Sequence, residues 1–224
     1  MKHSIEEPEV AQTYARRSKS YDSVVKIFDL FSSMGFDIPA WREAAIRDLH
    51  LKPGDTVIDI GCGTGLTFPS LYQAVGPTGR IIGIDISADM LEQAQQLVTQ
   101  NGWRNVELTA VDITHYDFPV KADGILSTFA LILVPNAGQV VSNACQSLLP
   151  GGRISILDMA WPENWSIHWR HVFFWLKPFG VTQETLRQKP WEAVWQAMES
   201  NLKDVALKRF WFRMMYFING VQSN

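Results

Sequence analysis

The sequence has few of the residues and segments that would assign a function class directly. It holds two cysteines, Cys62 and Cys145, among 224 residues, and the first lies between glycines, where a disulfide would distort the turn. Scarce cysteine is typical of a reducing compartment. Residues 1–22 are acidic and then basic, and they lack the apolar core of a signal peptide. We therefore expect a cytoplasmic protein.

Excess charge and long apolar runs are also missing. The formal net charge is -3 and the pI is about 5.9, so the totals do not suggest the cationic face that a phosphate backbone requires, and we expect no nucleic-acid partner. No apolar run reaches the roughly 20 residues of a transmembrane helix. The histidines are too scattered to supply a third ligand to any pair, so we predict no metal site.

Glycine is concentrated in one place. The stretch TVIDIGCGTGLTF, residues 56–68, carries Gly61, Gly63 and Gly65 directly after a run of β-branched apolar residues. Gly61 and Gly63 can adopt backbone angles closed to other residues, and they let the chain approach a ligand closely. A helix beginning after Gly65 would direct free N–H groups to the same place. A nucleotide fits such a loop.

Apolar runs and helical patterns alternate along the chain. Strands are predicted at residues 56–61, 80–86, 105–113, 122–132 and 153–159. Short connections between them predict a parallel α/β sheet with helices on both faces. Two further runs, DVALKRFWF and RMMYFINGV, predict a C-terminal antiparallel hairpin. We divide the chain into a helical N-terminal cap (1–50), a ligand-binding core (51–160), an aromatic helical lid (161–202) and strands that complete the sheet (203–224).

Acidic residues stand at the ends of three predicted strands: Asp59, Asp85 and Asp112. The carboxyl ends of parallel strands meet at the edge where ligands bind. Asp85 is suited to accept hydrogen bonds from both hydroxyls of a ribose, and it disfavours a ribose phosphate. Asp59 precedes the glycines, where it would repel a pyrophosphate but suit an ammonium or a sulfonium. Asp85 as a helix-cap partner and Asp112 as a turn former stay open.

The glycine order distinguishes two cofactor classes. Dinucleotide folds favour G-x-G-x-x-G, whereas this chain has G-x-G-x-G. Four segments in order, VIDIGCGTG, GIDIS, AVDIT and LLPGGRISILD, resemble the class I S-adenosylmethionine-dependent methyltransferases over about residues 50 to 160. More narrowly, SYDSVVKIFDLF and the aromatic tail are similar to the group that methylates quinones and phosphatidylethanolamine. The stretch FALILVPN lacks a histidine that this narrower group often has.

The resemblance implies a Rossmann-like fold and S-adenosylmethionine as cofactor. It assigns the methionine part of the cofactor to Asp59 and the glycines and the ribose to Asp85. The adenine falls to Ile86 and Met90, which would pack against it, and to Asp112 with Ile113, which would contact its edge. The implied cofactor-binding residues are Asp59, Gly61, Gly63, Gly65, Asp85, Ile86, Met90, Asp112, Ile113 and Phe129. Phe129 would also line the channel near the methyl group. A nicotinamide-dependent oxidoreductase and a non-catalytic cofactor-binding protein are the alternatives.

Aromatic residues are abundant after residue 100, where eight of the nine tryptophans lie. Trp165 and Trp169 belong to a predicted helix, and three interpretations stay open: core, a lid over a pocket for an apolar acceptor, or a helix on a membrane surface. Methyl transfer depends mainly on alignment, so no catalytic group is required by the pattern. His168, His171 and Tyr21 are candidates for a general base. The predicted substrate is small and hydrophobic or lipid-like, and the pattern indicates no oligomeric state.

Overall fold

The structure is a computed structural model that describes residues 37–161 and 188–223, together with 181, 182 and 185. The predicted helix at 163–177 and most of the predicted N-terminal cap lie outside the described residues. The helices are α1 (Ile38–Asp48), α2 (Phe68–Val75), α3 (Ala88–Asn101), α4 (Ala137–Ser147) and α5 (Pro190–Asn201). The strands are β1 (Thr56–Ile60), β2 (Arg80–Asp85), β3 (Val106–Ala110), β4 (Ala122–Thr128), β5 (Leu148–Met159), β6 (Lys203–Phe210) and β7 (Met215–Val221).

The helix ends follow local side-chain chemistry. Asp37 caps α1 by accepting a hydrogen bond from the amide of Ala40 at 3.0 Å. Ser87 caps α3 in the same way, through the amide of Met90 at 3.3 Å. Gly102 ends α3 in the left-handed conformation, with φ of 66°. These caps fix where α1 and α3 meet the strand ends.

The seven strands form one sheet in the order β3-β2-β1-β4-β5-β7-β6. The first five strands are parallel to one another, and β7 runs antiparallel to both β5 and β6. This arrangement confirms the predicted parallel sheet with a C-terminal antiparallel hairpin. Because β1 lies between β2 and β4, the strand order reverses at the end of β1. Ligands bind at such a reversal in open α/β sheets.

The core lies on both faces of the sheet. The central strands contribute fully buried isoleucines, among them Ile58, Ile84, Ile125 and Ile156. Burying one such side chain stabilises the fold by roughly 1.5 to 3 kcal/mol. None of the described helices combines the length and the hydropathy needed to cross a bilayer.

Helix α5 is part of this core. Its residues Trp191, Val194 and Met198 are buried. Helix α4 approaches it so closely that a Cβ on Gly138 would lie 2.9 Å from the carbonyl oxygen of Ala193. The helix at the end of the predicted lid range therefore packs against α4, and the lid prediction concerns the residues before it.

Three strands differ from their predicted bounds. The third ends at Ala110 and not at residue 113, and the fifth begins at Leu148 and not at residue 153. The prediction extended the fourth strand to residue 132, whereas β4 ends at Thr128. Phe129 has φ of 58°, which directs the chain out of the sheet. A 3₁₀ turn, Leu131–Leu133, follows it. The apolar run continues beyond the strand because this turn is itself buried, and periodicity does not separate the two cases.

Candidate active site

The glycine loop folds back on the end of β2. Gly61, Gly63 and Gly65 have φ of 68°, 55° and 82°, the left-handed region that favours glycine. The amides of Gly61 and Cys62 both donate to the carbonyl oxygen of Ile84, at 2.8 Å and 3.0 Å. The loop is thereby attached to the strand that carries Asp85.

At two of the three glycines, neighbouring protein atoms leave no space for a side chain. A Cβ on Gly61 would lie 2.3 Å from the Cβ of Ala130, and one on Gly65 would lie 2.7 Å from the ring of Phe68. At Gly63 the nearest atom is the sulfur of Met90, at 3.7 Å. The sequence pattern suggested ligand approach at Gly61 and Gly63, but in the structure Gly61 is packed against protein and Gly63 has space beside it.

Asp85 joins the glycine loop to α3. Its Oδ2 accepts a hydrogen bond from the amide of Gly63, and its Oδ1 accepts one from the amide of Ser87, both at 2.9 Å. Burial raises the pKa of Asp85, and these backbone hydrogen bonds oppose the rise. Each carboxylate oxygen has a second lone pair. Asp85 therefore keeps acceptor capacity for a ligand at the loop.

Asp59 is the most deeply buried acidic group of the loop, with 1% of its surface exposed. The hydroxyl of Thr67 donates to its Oδ2. Within the described part of the chain, its buried Oδ1 has no hydrogen-bond partner. Burial raises the pKa of Asp59 to about 7, and the nearby charge of Asp85 adds to the rise. A buried carboxylate oxygen without a partner fits a ligand that brings positive charge or a donor.

Phe129 and Arg42 lie together beside Asp59. The guanidinium carbon of Arg42 is 5.3 Å from the ring centroid of Phe129, a cation–π contact. The charge of Arg42 lowers the pKa of Asp59 and so partly offsets its burial. The sequence analysis did not include Arg42, which lies on α1 without a motif of its own. Only the fold brings it to the loop.

The third predicted aspartate makes a turn. Asp112 Oδ1 accepts hydrogen bonds from the amide and the hydroxyl of Thr114, both at 2.8 Å. This caps the 3₁₀ turn Ile113–His115. The turn-former interpretation describes this geometry, and the second carboxylate oxygen leaves a ligand role open. Backbone pairing holds the segment near the site, because the amide of Val111 donates to the carbonyl of Asp85 at 3.0 Å.

The other predicted cofactor residues flank the same loop. Met90 is buried and Ile113 is nearly so, at 2% and 9% exposure, while Ile86 is half-buried. Tyr21, Trp165, Trp169, His168 and His171 lie outside the described residues, so their roles stay predictions. Among the residues that the structure describes, no three His, Cys, Asp or Glu side chains form a possible metal cluster.

Asp158, near the end of β5, supports the site, and no motif in the sequence had singled it out. It is fully buried, and its oxygens accept hydrogen bonds from the amides of Ile132 at 3.0 Å and Met159 at 2.7 Å. Burial raises its pKa to about 7. Asp158 thus holds the turn after β4, including Ala130, which packs on Gly61. Its place near the end of the predicted strand RISILDM is the signal in the sequence, because Asp59, Asp85 and Asp112 stand at the ends of predicted strands too.

Comparison with known proteins identifies the family. A family model described as a methyltransferase domain matches residues 51–205. The chain belongs to this methyltransferase family. The match confirms the predicted resemblance and, with it, S-adenosylmethionine as the cofactor class. The matched segment contains every described residue of the candidate site except Arg42.

Curated relatives share one description. A demethylmenaquinone methyltransferase of Lactobacillus johnsonii is 30% identical over 164 residues, which are 72% of this chain and 65% of the relative. One of Desulfitobacterium hafniense is 32% identical over 148 residues, 64% of this chain and 58% of the relative. One of Listeria monocytogenes is 26% identical over 199 residues, 82% of each protein. The chain thus spans less than two thirds of the first two relatives.

Solved structures support the fold. A SAM dependent methyltransferase from Aquifex aeolicus superposes with a TM-score of 0.59 at 21% identity, covering 90% of this chain and 97% of that one. The phosphoethanolamine N-methyltransferase 2 of Haemonchus contortus gives a TM-score of 0.67 at 15% identity, covering 83% and 53%. Both comparisons agree with the Rossmann-like methyltransferase sheet.

Proposed function

We propose that the protein transfers a methyl group from S-adenosylmethionine to a small, lipid-like quinone. The observation that carries this proposal is the pair of aspartates at the strand reversal, within the family's domain. Asp85 keeps acceptor capacity beside Gly63, and Asp59 carries a buried oxygen without a partner among the described residues. Together they offer separate positions for a ribose and for a positively charged group.

The residues present fit this cofactor. Asp85 would accept hydrogen bonds from the ribose hydroxyls, and Met90 with Ile86 would pack against the adenine beside Asp112 and Ile113. Gly63 would admit the cofactor, because a side chain there would fill the space beside Met90. Asp59 would face the methionine part, where positive charge would stabilise its ionised form. When bound, the cofactor supplies an activated methyl group on a sulfonium.

The chain's own contribution to the reaction is alignment and exclusion of water. Phe129 leaves β4 in a left-handed conformation, and its amide donates to the carbonyl of Leu157 at 2.8 Å. The ring thereby stands at the reversal point, beside Arg42. A fixed apolar wall there would orient an acceptor, and orientation alone can contribute about 7 to 11 kcal/mol to a bimolecular step. The proposal requires no general base from the described residues.

The quinone acceptor rests on the curated relatives, which are named as acting on demethylmenaquinone. An acceptor of this type also agrees with the apolar residues around the site, Phe129, Met159 and Trp211 among them. The proposal includes a cytoplasmic location, which the free cysteines Cys62 and Cys145 support.

A two-stage experiment tests the proposal. Thermal unfolding is first followed with S-adenosylhomocysteine and, separately, with NAD; we expect stabilisation by the first alone. Methyl transfer from labelled S-adenosylmethionine to a demethylated naphthoquinone is then measured by mass spectrometry. Stabilisation by NAD alone would contradict the cofactor assignment. Cofactor binding without product from any quinone would favour the non-catalytic alternative or another acceptor.

A further inference from the structure

The turn between β6 and β7, residues 211–214, carries the most exposed large apolar side chain among the described residues. Phe212 is 71% exposed. Its ring contacts Trp211, with centroids 5.8 Å apart. Phe212 is far more exposed than the other exposed large apolar side chains of the described residues, Leu66, Leu149 and Leu207 at 40%, 37% and 41%, and it lies beside the half-buried Trp211. A ring this exposed marks the turn as a candidate docking surface.

The turn is held in a strained conformation. Trp211, Phe212 and Arg213 have φ of 43°, 56° and 65°, values that L-residues with side chains adopt at a cost. Arg209 Nη2 donates to the carbonyl of Arg213 at 3.0 Å, and the amide of Met214 donates to the carbonyl of Trp211 at the same distance. These bonds hold Phe212 outward instead of letting it fold onto the sheet.

The charges of the β6–β7 hairpin are mainly positive. Residues 203–221 contain four basic side chains and one acidic side chain, Asp204, which stands at the far end of β6. Lys208 and Arg213, on either side of Phe212, are exposed. An aromatic tip flanked by cations is suited to the interface of an anionic bilayer, where the ring enters the headgroup region and the cations stay at its surface.

The turn also lies at the carboxyl end of the parallel strands, where the candidate site is. Met215 pairs with Met159 at the carboxyl end of β5, and the amide of Ala160 donates to the carbonyl of Met214 at 2.9 Å. An apolar cluster continues from there to the site, through Trp211, Met159 and Phe129. Apolar side chains therefore connect the exposed Phe212 with the point where the strand order reverses, at the carboxyl end of the sheet.

From this geometry we propose that the β6–β7 turn docks the protein on an anionic lipid bilayer, with Phe212 inserted and Arg213 at the headgroups. Docking there brings the apolar cluster and Phe129 toward the membrane surface. A lipid-like acceptor could then reach the site without crossing water. The inference that the protein binds a bilayer depends only on the turn. The delivery of an acceptor from the bilayer rests on the proposed methyl transfer to a quinone.

Vesicle co-sedimentation of the full chain, without cofactor, tests the docking. The vesicles are phosphatidylcholine with or without phosphatidylglycerol. We expect Phe212→Ser to weaken binding to the anionic vesicles about tenfold, and Arg213→Gln about fivefold at low salt. The matched control is Leu149→Ser, which alters an exposed side chain at the start of β5, at the opposite end of the strands from the turn. Melting temperatures of all variants establish that they are folded.

The outcomes separate the two proposals. The docking proposal is overturned if the wild type does not bind the anionic vesicles, or if Phe212→Ser and Leu149→Ser behave alike. It is supported if only the turn variants lose binding. Methylation of a tail-less quinone in solution should be equal in the wild type and Phe212→Ser, while a long-tailed quinone in vesicles should react about tenfold more slowly with the variant. Failure of the soluble reaction in both proteins would count against the proposed function and leave the sedimentation result to judge the docking.

Discussion

Asp59 in β1 and Asp158 in β5 are both buried and both have a raised pKa, but their hydrogen bonds differ. Burial raises the pKa of each to about 7. Asp158 uses both oxygens on backbone amides, one of Ile132 in the turn after β4 and one of Met159 in its own strand. Asp59 uses one oxygen on Thr67, and the other has no partner in the described part of the chain. A raised pKa is therefore common to both aspartates, whereas hydrogen bonds separate Asp158, which supports the turn, from Asp59, which we propose faces the cofactor.

The largest effect is expected at Asp158. Asp158→Ala would leave the buried amide of Ile132 without an acceptor, so we expect the free energy of unfolding to fall by about 2 to 4 kcal/mol. Urea denaturation at pH 7 measures it. Asp117→Ala, on the exposed connection before β4, is the control and should change the value by less than about 0.5 kcal/mol. An Asp158 variant as stable as this control would remove its structural role.

Asp85 should govern cofactor affinity more than stability. Asp85→Ala removes the carboxylate that would accept the ribose hydroxyls, and we expect S-adenosylhomocysteine to bind roughly ten- to hundredfold more weakly. Isothermal titration calorimetry measures the Kd. The matched control is Asp89→Ala in the first exposed turn of α3, which should bind as the wild type does. Equal affinities in the two variants would exclude Asp85 from the site.

Asp59 should have a pH-dependent effect on stability. Its pKa is about 7 in the folded protein against an ordinary value of 3.8, so between these values the folded state holds a proton that the unfolded state has lost. The free energy of unfolding of the wild type therefore falls as pH rises through this window, by at most about 1.4 kcal/mol per unit for this one group. Asp59→Asn lacks this loss and should be the more stable protein above pH 7.

Urea denaturation from pH 5 to pH 8 follows this difference, and Asp158→Asn sharpens the comparison. An amide can replace the single acceptor that Asp59 uses, but not both acceptors of Asp158. Asp158→Asn should therefore be less stable than Asp59→Asn at every pH in this range. Equal stabilities of the two variants at every pH would contradict the proposed distinction.

The smallest expected effect concerns the charge of the cofactor. S-adenosylmethionine carries a positive sulfonium and S-adenosylhomocysteine a neutral thioether. If Asp59 faces this group, Asp59→Asn should weaken binding of the first by about fivefold more than binding of the second. Competition binding at pH 8, where Asp59 is ionised, measures the ratio. An unchanged ratio would place the unpartnered oxygen away from the sulfonium.

Much of the fold could be predicted from the sequence, because strand and helix periodicities and the turn residues between them are local. The C-terminal hairpin and the parallel sheet were predicted on this ground. The boundary at Phe129 was not, since a buried 3₁₀ turn has the same apolar composition as a strand. The N-terminal cap and the predicted aromatic lid mostly lie outside the described residues and stay predictions.

The sequence by itself determined the glycine loop, the three strand-end aspartates and the resemblance that the family match confirmed, because these are spacings along one chain. Only the tertiary structure decided which aspartate oxygen lacks a partner among the described residues, that Ala130 leaves no space for a side chain at Gly61, and that Arg42 stands over Phe129. It also placed the aromatic turn at Phe212 at the carboxyl end of the sheet, where Asp59 and Asp85 lie. The physical reason is that burial and hydrogen-bond satisfaction depend on neighbours from distant segments, which no local pattern encodes.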